Sequence, residues 1–316
     1  MGRRKKGSPV NGWVVIDKPL GITSTQVVGI VRRLFDAQKA GHAGTLDPMA
    51  TGVLAIALGE ATKTVPYAMD ASKTYRFTAC WGEGRDSDDA EGAVTGTSPV
   101  RPTHEQIEAA LPAFTGEISQ VPPIYSAIKV QGERAYDLAR GGETVTLEPR
   151  TVFIEEARLI STPDADHAEF EILCGKGTYV RAWVRDMARH LGTLGYVCEL
   201  RRTRIGGFCA ETAIGLEKLK ALGHGPAAFE HLRPISTALD GIPALAVTGP
   251  DAVRLKSGNS VLVRANIFAR LVDAVSGDDL QGLTVFCSTT EGEPVALAAL
   301  EQGELRPFRV FNFGTG

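Results

Sequence analysis

The chain has 316 residues, 43% of them hydrophobic and 22% charged, with a formal net charge of −3. That composition suits a globular protein with one substantial domain and a smaller one, and no apolar run reaches the roughly 20 residues that cross a bilayer. The five cysteines are widely spaced without a CxxC pair and no two histidines stand at i, i+4, so the pattern offers neither a zinc site nor a disulfide framework.

The N-terminal MGRRKKGSPV is basic but lacks the apolar core of a signal peptide, which predicts a cytoplasmic protein with a flexible tail over residues 1–10. Gly12–Pro19 reads as a strand closed by a turn. Thr23-Ser24 then offers a cap for a helix whose apolar face is Val27, Val28, Val31, Leu34 and Phe35. Gly41–Leu54, GHAGTLDPMATGVL, has the glycine and proline density of an irregular loop and runs into an apolar strand, Val53–Leu58. Lys73–Trp81 alternates, with Tyr75, Phe77, Ala79 and Trp81 on one face. The acidic, turn-rich Gly82–Gly96 looks like an inserted loop, and an amphipathic helix is predicted over His104–Phe114. Phe170–Cys174 is a further strand and Tyr179–Leu191 a helix, with Arg181, Arg185 and Arg189 on a stripe separate from its apolar side. Ala221–Gly241 reads as a connector, and Ile242–Gly316 as a β-rich tail. Three regions follow: the basic tail 1–10, a main domain 11–240 with an inserted segment at about 82–150, and a small domain 241–316.

Basic residues outnumber acids between Lys176 and Arg204, whereas Glu83–Glu91 is acidic apart from Arg85. This split fits a phosphate-binding face as well as it fits two solvated surfaces. Phosphate-loop, dinucleotide, nucleophile-elbow and HExxH patterns are all absent. What remains is carboxylate, phenol, imidazole and guanidinium, a set suited to hydrolysis, glycosyl chemistry or isomerisation without a metal or cofactor. Asp47 suits attack at an anomeric carbon, but Asp before Pro is also a common turn former. Tyr75 reads as core packing as readily as a site residue. Arg181 either faces solvent or clamps a carboxylate, and Leu200–Arg204 either meets backbone phosphates or is a surface strand.

Six segments in order resemble the motifs of the TruB family of tRNA pseudouridine synthases: GWVVIDKPLGITS (Gly12–Ser24), GHAGTLDPMATGVL (Gly41–Leu54), KTYRF (Lys73–Phe77), Gly116–Arg140, GKGTYVRAWVRDMARHLG (Gly175–Gly192) and LRRTRIGGF (Leu200–Phe208). The resemblance implies an α+β pseudouridine-synthase fold with a mixed, mainly antiparallel central sheet and a small PUA-like RNA-binding domain in the tail. It also implies isomerisation of the T-loop uridine at position 55 of tRNA. Asp47 matches the essential aspartate, acting on the ribose by attack at C1′ or by taking the C2′ proton. Tyr75 matches the tyrosine that stacks on the base and is proposed to remove the C5 proton, and Arg181 the arginine paired with the aspartate. Tyr179 and Leu200 match pocket-lining residues and His42 the one near the everted nucleotide. Lys18 and Arg202, in the first and last motifs, stand as further substrate-binding positions. The implied partner is the T-arm of tRNA, with no membrane or protein partner, and the implied state a monomer. Arg85-Asp86-Ser87 departs from the more frequent Thr-Asp-Thr, and Trp183 replaces a smaller residue. Competing readings are a guide-RNA-dependent synthase, a tRNA-folding chaperone that does not need Asp47, and a carbohydrate hydrolase, for which no second acid is evident.

Overall fold

The computed structural model describes residues 7–126, 129–130, 133–134, 147–263 and 281–313. In chain order the main part runs β1 (Gly12–Lys18), α1 (Ser24–Leu34), β2 (Ala40–Ala43), β3 (Ala50–Leu58), α2 (Val65–Asp70), β4 (Lys73–Trp81), β5 (Glu83–Arg85), β6 (Val94–Thr97), α3 (His104–Ala110) and β7 (Gly116–Gln120). It continues with the short pair β8 (Lys129–Val130) and β9 (Glu133–Arg134), then β10 (Arg150–Ser161), β11 (His167–Cys174), α4 (Val180–His190) and β12 (Gly195–Ile205). The large sheet is ordered β1-β3-β12-β4-β11-β10-β7, with Ile214–Gly215 outside β1. Only β3–β12 and β1 with Ile214–Gly215 pair in parallel, so the sheet is mixed but mainly antiparallel and the fold is α+β.

Local sequence accounts for the helices that matter. Thr23 caps α1: its hydroxyl accepts from the Gln26 amide, and the Gln26 side chain accepts from the Thr23 amide. Val27, Val31 and Phe35 then bury fully. Helix α4 lays Val180, Val184, Met187 and Ala188 on the sheet. At its centre Trp183 is fully buried, meeting the rings of Phe77, Phe114 and Phe170 edge-on at 5.5, 5.7 and 5.2 Å while its Nε1 donates to the Phe114 carbonyl. The larger residue in the α4 motif is therefore the aromatic hub of the core.

Two expectations change. Leu200–Arg204 is not a surface strand: β12 lies in mid-sheet between β3 and β4, with Arg202 turned inward and 1% exposed. Residues 7–10 do not hang free. The Ser8 amide donates to the Asp36 carbonyl and the Gln38 side chain to that of Gly7; Arg3–Lys6 lie outside the described residues. The tail forms a five-stranded sheet (Ala244–Ala246, Leu283–Ser288, Pro294–Glu301, Glu304–Val310, Val261–Leu262) with the helix Gly249–Lys256. Its Phe286, Leu297 and Phe311 share an apolar cluster with Trp13, Val53 and Ile205 of the main sheet. Lys63 adds a bond to the Val310 carbonyl at 2.7 Å. Among the described residues no helix is long and apolar enough to cross a membrane, and no cluster of acid, His or Cys side chains is arranged to hold a metal.

Candidate active site

The Asp47 stretch is less irregular than its composition suggests. β2 and β3 form an antiparallel hairpin, with His42 opposite Ile56, and only residues 44–49 are outside strands. Glycine is required at Gly52, where φ is +97° and a Cβ would stand 2.2 Å from the Arg202 carbonyl oxygen in the neighbouring parallel strand. The Arg202 side chain doubles back to donate to Val53 O (2.8 Å) and Gly44 O (3.0 Å), tying down the loop's glycine end. At its other end, Lys18 Nζ donates to the carbonyls of Pro19, Ile22 and Pro48, and the Gly21 amide also donates to Pro48 O. These three carbonyls use all three donors of a fully buried ammonium. Ser24, left free by the Thr23 cap, donates to Leu46 O at 3.0 Å and accepts from Leu46 N at 2.9 Å. Asp47 is thus carried on a loop fastened immediately before and after it.

The opposite wall comes from the acidic segment, which is docked rather than solvated. β5 and β6 pair as a hairpin whose tip lies along β12. A bulge at Cys198 leaves Val197 to donate to Asp88 O and accept from Ala90 N, both at 3.1 Å. Arg85, the departure from the usual motif, stacks its guanidinium 4.5 Å above the Tyr196 ring. Asp88 has a left-handed backbone, φ 58°, and Asp88 and Asp89 both reach arginines of α4.

Arg181 joins the walls. Its Nη2 lies 2.9 Å from Asp47 Oδ2 and its Nη1 3.1 Å from Asp89 Oδ2. The same two nitrogens donate to Tyr125 O and Ser87 O, each at 2.8 Å. The guanidinium is not a two-bond clamp on one carboxylate; it is a bridge between two. Its side chain is 5% exposed against 38% for Asp47, so the carboxylate opens outward while the cation does not.

Outward means into a cleft of about 530 Å³ lined by Asp47, Tyr75, Tyr179, Leu200, Arg181 and Arg202, with Lys73 and Lys176 also on its wall. That size suits one small ligand, within the roughly 300–1,000 Å³ usual for such sites. Burial pushes the Tyr75 phenol above its ordinary pKa, opposed by the Arg202 guanidinium that bonds it. Burial likewise raises Tyr179 and lowers Lys73 to about 8.

Six of the eight residues singled out from the sequence line this one cleft. Lys18 and His42 do not. Lys18 sits behind the loop, lowered to about 8 by burial and partly restored by Asp47. His42 lies on β2 with Nδ1 buried and without a hydrogen-bond partner among the described residues; burial, then Arg202, lower its pKa. Asp89, Ser87 and Tyr125 were not foreseen. Their trace in the sequence is the adjacent Asp88-Asp89 pair, complementary to arginines spaced i, i+4.

The basic run between Lys176 and Arg204 is mostly paired with acids of the protein. Arg185 pairs with Asp88 and Asp186 out of solvent, whereas the Arg201–Asp17 and Lys176–Asp70 pairs lie at the surface.

Comparison with known proteins bears on what this cleft is. The profile of the TruB family pseudouridylate synthase N-terminal domain matches residues 32–180, and that of the tRNA pseudouridylate synthase B C-terminal domain residues 181–240. The chain belongs to the TruB family. Among similar curated TruB proteins, tRNA pseudouridine synthase B of Caulobacter vibrioides is 54% identical over 98% of this chain and 99% of its own. That of Bradyrhizobium diazoefficiens is 56% identical over 98% and 88%. Among solved structures, a Cbf5-Nop10-Gar1 complex superposes with a TM-score of 0.71 at 25% identity, covering 95% of this chain and 85% of that one. An H/ACA RNP bound to a substrate RNA containing 2′-deoxyuridine gives 0.71 at 22% identity, covering 99% and 92%. TruB motifs of the sequence and TruB relatives therefore agree on a pseudouridine-synthase fold.

Proposed function

We propose that this TruB-family pseudouridine synthase isomerises the T-loop uridine at position 55 of tRNA, working alone on the tRNA in the cytoplasm. The observation that carries the reading is the Asp47 carboxylate, held by Arg181 and open to a cleft that Tyr75 also lines. A cleft of about 530 Å³ takes one nucleotide, not a folded loop, so the uridine must leave its stack at a cost of roughly a few kcal/mol. Stacking on an aromatic ring returns about 1–3 kcal/mol, which makes Tyr75 the natural seat for the base. Asp47 then acts on the ribose while the C1′–N1 bond breaks. The base turns within the cleft, C1′ bonds to C5, and the C5 proton leaves as N1 gains one. Nothing is oxidised or transferred, so no cofactor is called for. A phenol is neutral near pH 7 and burial raises Tyr75 further, so it serves as a stacking platform before it serves as a base. Arg181 keeps Asp47 aimed into the cleft, Tyr179 and Leu200 shape the pocket, and Lys18 and Arg202 act by holding the loop. His42, on the hairpin beside the loop, is placed against the RNA surrounding the flipped nucleotide. The tail from residue 241 is the RNA-binding domain.

Incubating protein and unmodified tRNA transcript with no other RNA, then mapping pseudouridine, tests the reading. One pseudouridine at position 55 is expected; none without a guide RNA, or modification elsewhere, would overturn it. Tyr75→Leu is expected to abolish turnover with tRNA affinity nearly unchanged, and a rate near wild type would remove Tyr75 from the mechanism.

A further inference from the structure

One helical turn beyond Arg181, Arg185 repeats its pattern of contacts without touching the cleft. Its Nη1 lies 2.8 Å from Asp88 Oδ2, its Nη2 donates to Val121 O at 2.7 Å, and Nε and Nη2 meet the Asp186 carboxylate at 2.9 and 3.2 Å. Its side chain is 14% exposed and that of Asp88 12%, so this is a desolvated pair with every contact directed. The two segments it grips are the two that furnish Arg181's contacts other than Asp47. Asp88 lies between Ser87 and Asp89, which hold Arg181 Nη1; Val121 begins the Val121–Ser126 segment, whose Tyr125 carbonyl holds Nη2. The left-handed backbone at Asp88 lets neighbouring carboxylates serve neighbouring arginines.

We propose that Arg185 is a positioning residue for the reaction: by fixing the acidic hairpin through Asp88 and the 121–126 segment through Val121, it sets where Asp89, Ser87 and Tyr125 hold Arg181 against Asp47. The inference rests on the reading of Arg181 and Asp47 as the working pair. Without Arg185, the 121–126 segment keeps its bond to Arg181 and the contacts between Gln120 and the Tyr179 backbone. The hairpin keeps its bonds to Val197 and Arg181, the stack of Arg85 on Tyr196 and its base at Leu194. A displacement of about an ångström at a reacting group costs up to about a hundredfold in rate.

The test compares wild type, Arg185→Gln, Asp88→Asn, the double variant and Asp47→Asn by single-turnover release of tritium from uridine C5 at saturating tRNA, with tRNA Kd and thermal melting alongside. Both single variants are expected to lose about tenfold to a hundredfold in rate. Their Kd should stay within about threefold, and the double variant should be no slower than the slower single, as coupled residues behave. Asp88→Asn is isosteric and tolerates the left-handed backbone, so it carries the test if Arg185→Gln does not fold. Wild-type rates in the folded variants, strictly additive losses, or a rate loss matched by an equal loss of affinity would overturn the proposal. An active Asp47→Asn would instead overturn the reading beneath it.

Discussion

The loop that carries Asp47 is fastened by side-chain donors bonded to main-chain groups, whereas the hairpin that faces it is fastened by carboxylates bonded to arginines. Lys18, Ser24 and Arg202 meet carbonyls of residues 44–53 and leave the Asp47 carboxylate to Arg181 and the cleft. Asp88 and Asp89 meet Arg185 and Arg181 and neutralise the α4 stripe. Both designs bury charge, and both succeed because each buried group is bonded. The consequences differ. A cation held by carbonyls keeps its position without a direct ion pair, so among the described residues the counter-ion in contact with Asp47 is Arg181. An arginine held by two carboxylates is electrically saturated and serves as a rigid strut rather than an anion receptor.

If the strut matters, breaking it should be the most harmful change to either wall. Arg181→Lys puts one ammonium where a planar fork spans two acids, and single-turnover tritium release should fall about a hundredfold with tRNA affinity kept. A fall below about tenfold would mean that charge alone suffices there. On the backbone-held wall, Ser24→Ala removes both bonds to Leu46 and leaves the Leu46 amide buried. Urea unfolding should show a loss of about 1–3 kcal/mol, with a smaller rate loss than Arg181→Lys; an equal or larger one would erase the distinction between the walls.

A pH-dependent effect concerns Lys18. Its folded pKa, about 8, lies below the ordinary 10.5. Between these values the unfolded state binds more protons, so this group's contribution to stability rises with pH across that window and is a constant cost below it. The wild type is therefore expected to gain melting temperature on Lys18→Met as pH rises from 8 towards 10.5. Lys73 shares the window but is present in both and cancels. A flat or falling difference would show that Lys18 is not desolvated as described.

Periodicity made most of this legible. Strand β4 spans Lys73–Trp81 as its alternation predicts, and α1 and α4 fall within a residue or so of their expected ends because capping and apolar spacing are local signals. β12 was obscured because Leu200–Arg204 carries three arginines, and a charged strand reads as exposed until its neighbours are known. Only the register with β3 shows that Arg202 turns inward to main-chain acceptors. The docking of the acidic segment is hidden for a related reason. Five acids in a row of turn formers are solvated unless complementary arginines face them, and that complementarity spans about ninety residues of chain. The cleft itself is readable because its residues sit in motifs, as do Lys18, Ser24 and Arg202, which hold the loop; Ser87, Asp88 and Asp89, which hold the arginines, lie between motifs.

The most direct test of the account is tritium release from a tRNA transcript labelled at uridine C5, wild type beside Asp47→Asn, with tRNA binding measured on both. About one tritium released per tRNA by the wild type and none by Asp47→Asn, at equal affinity, is the predicted result for a single site per tRNA. Release by Asp47→Asn at the wild-type rate would contradict it, because the carboxylate that both walls hold in place would then not be doing the chemistry.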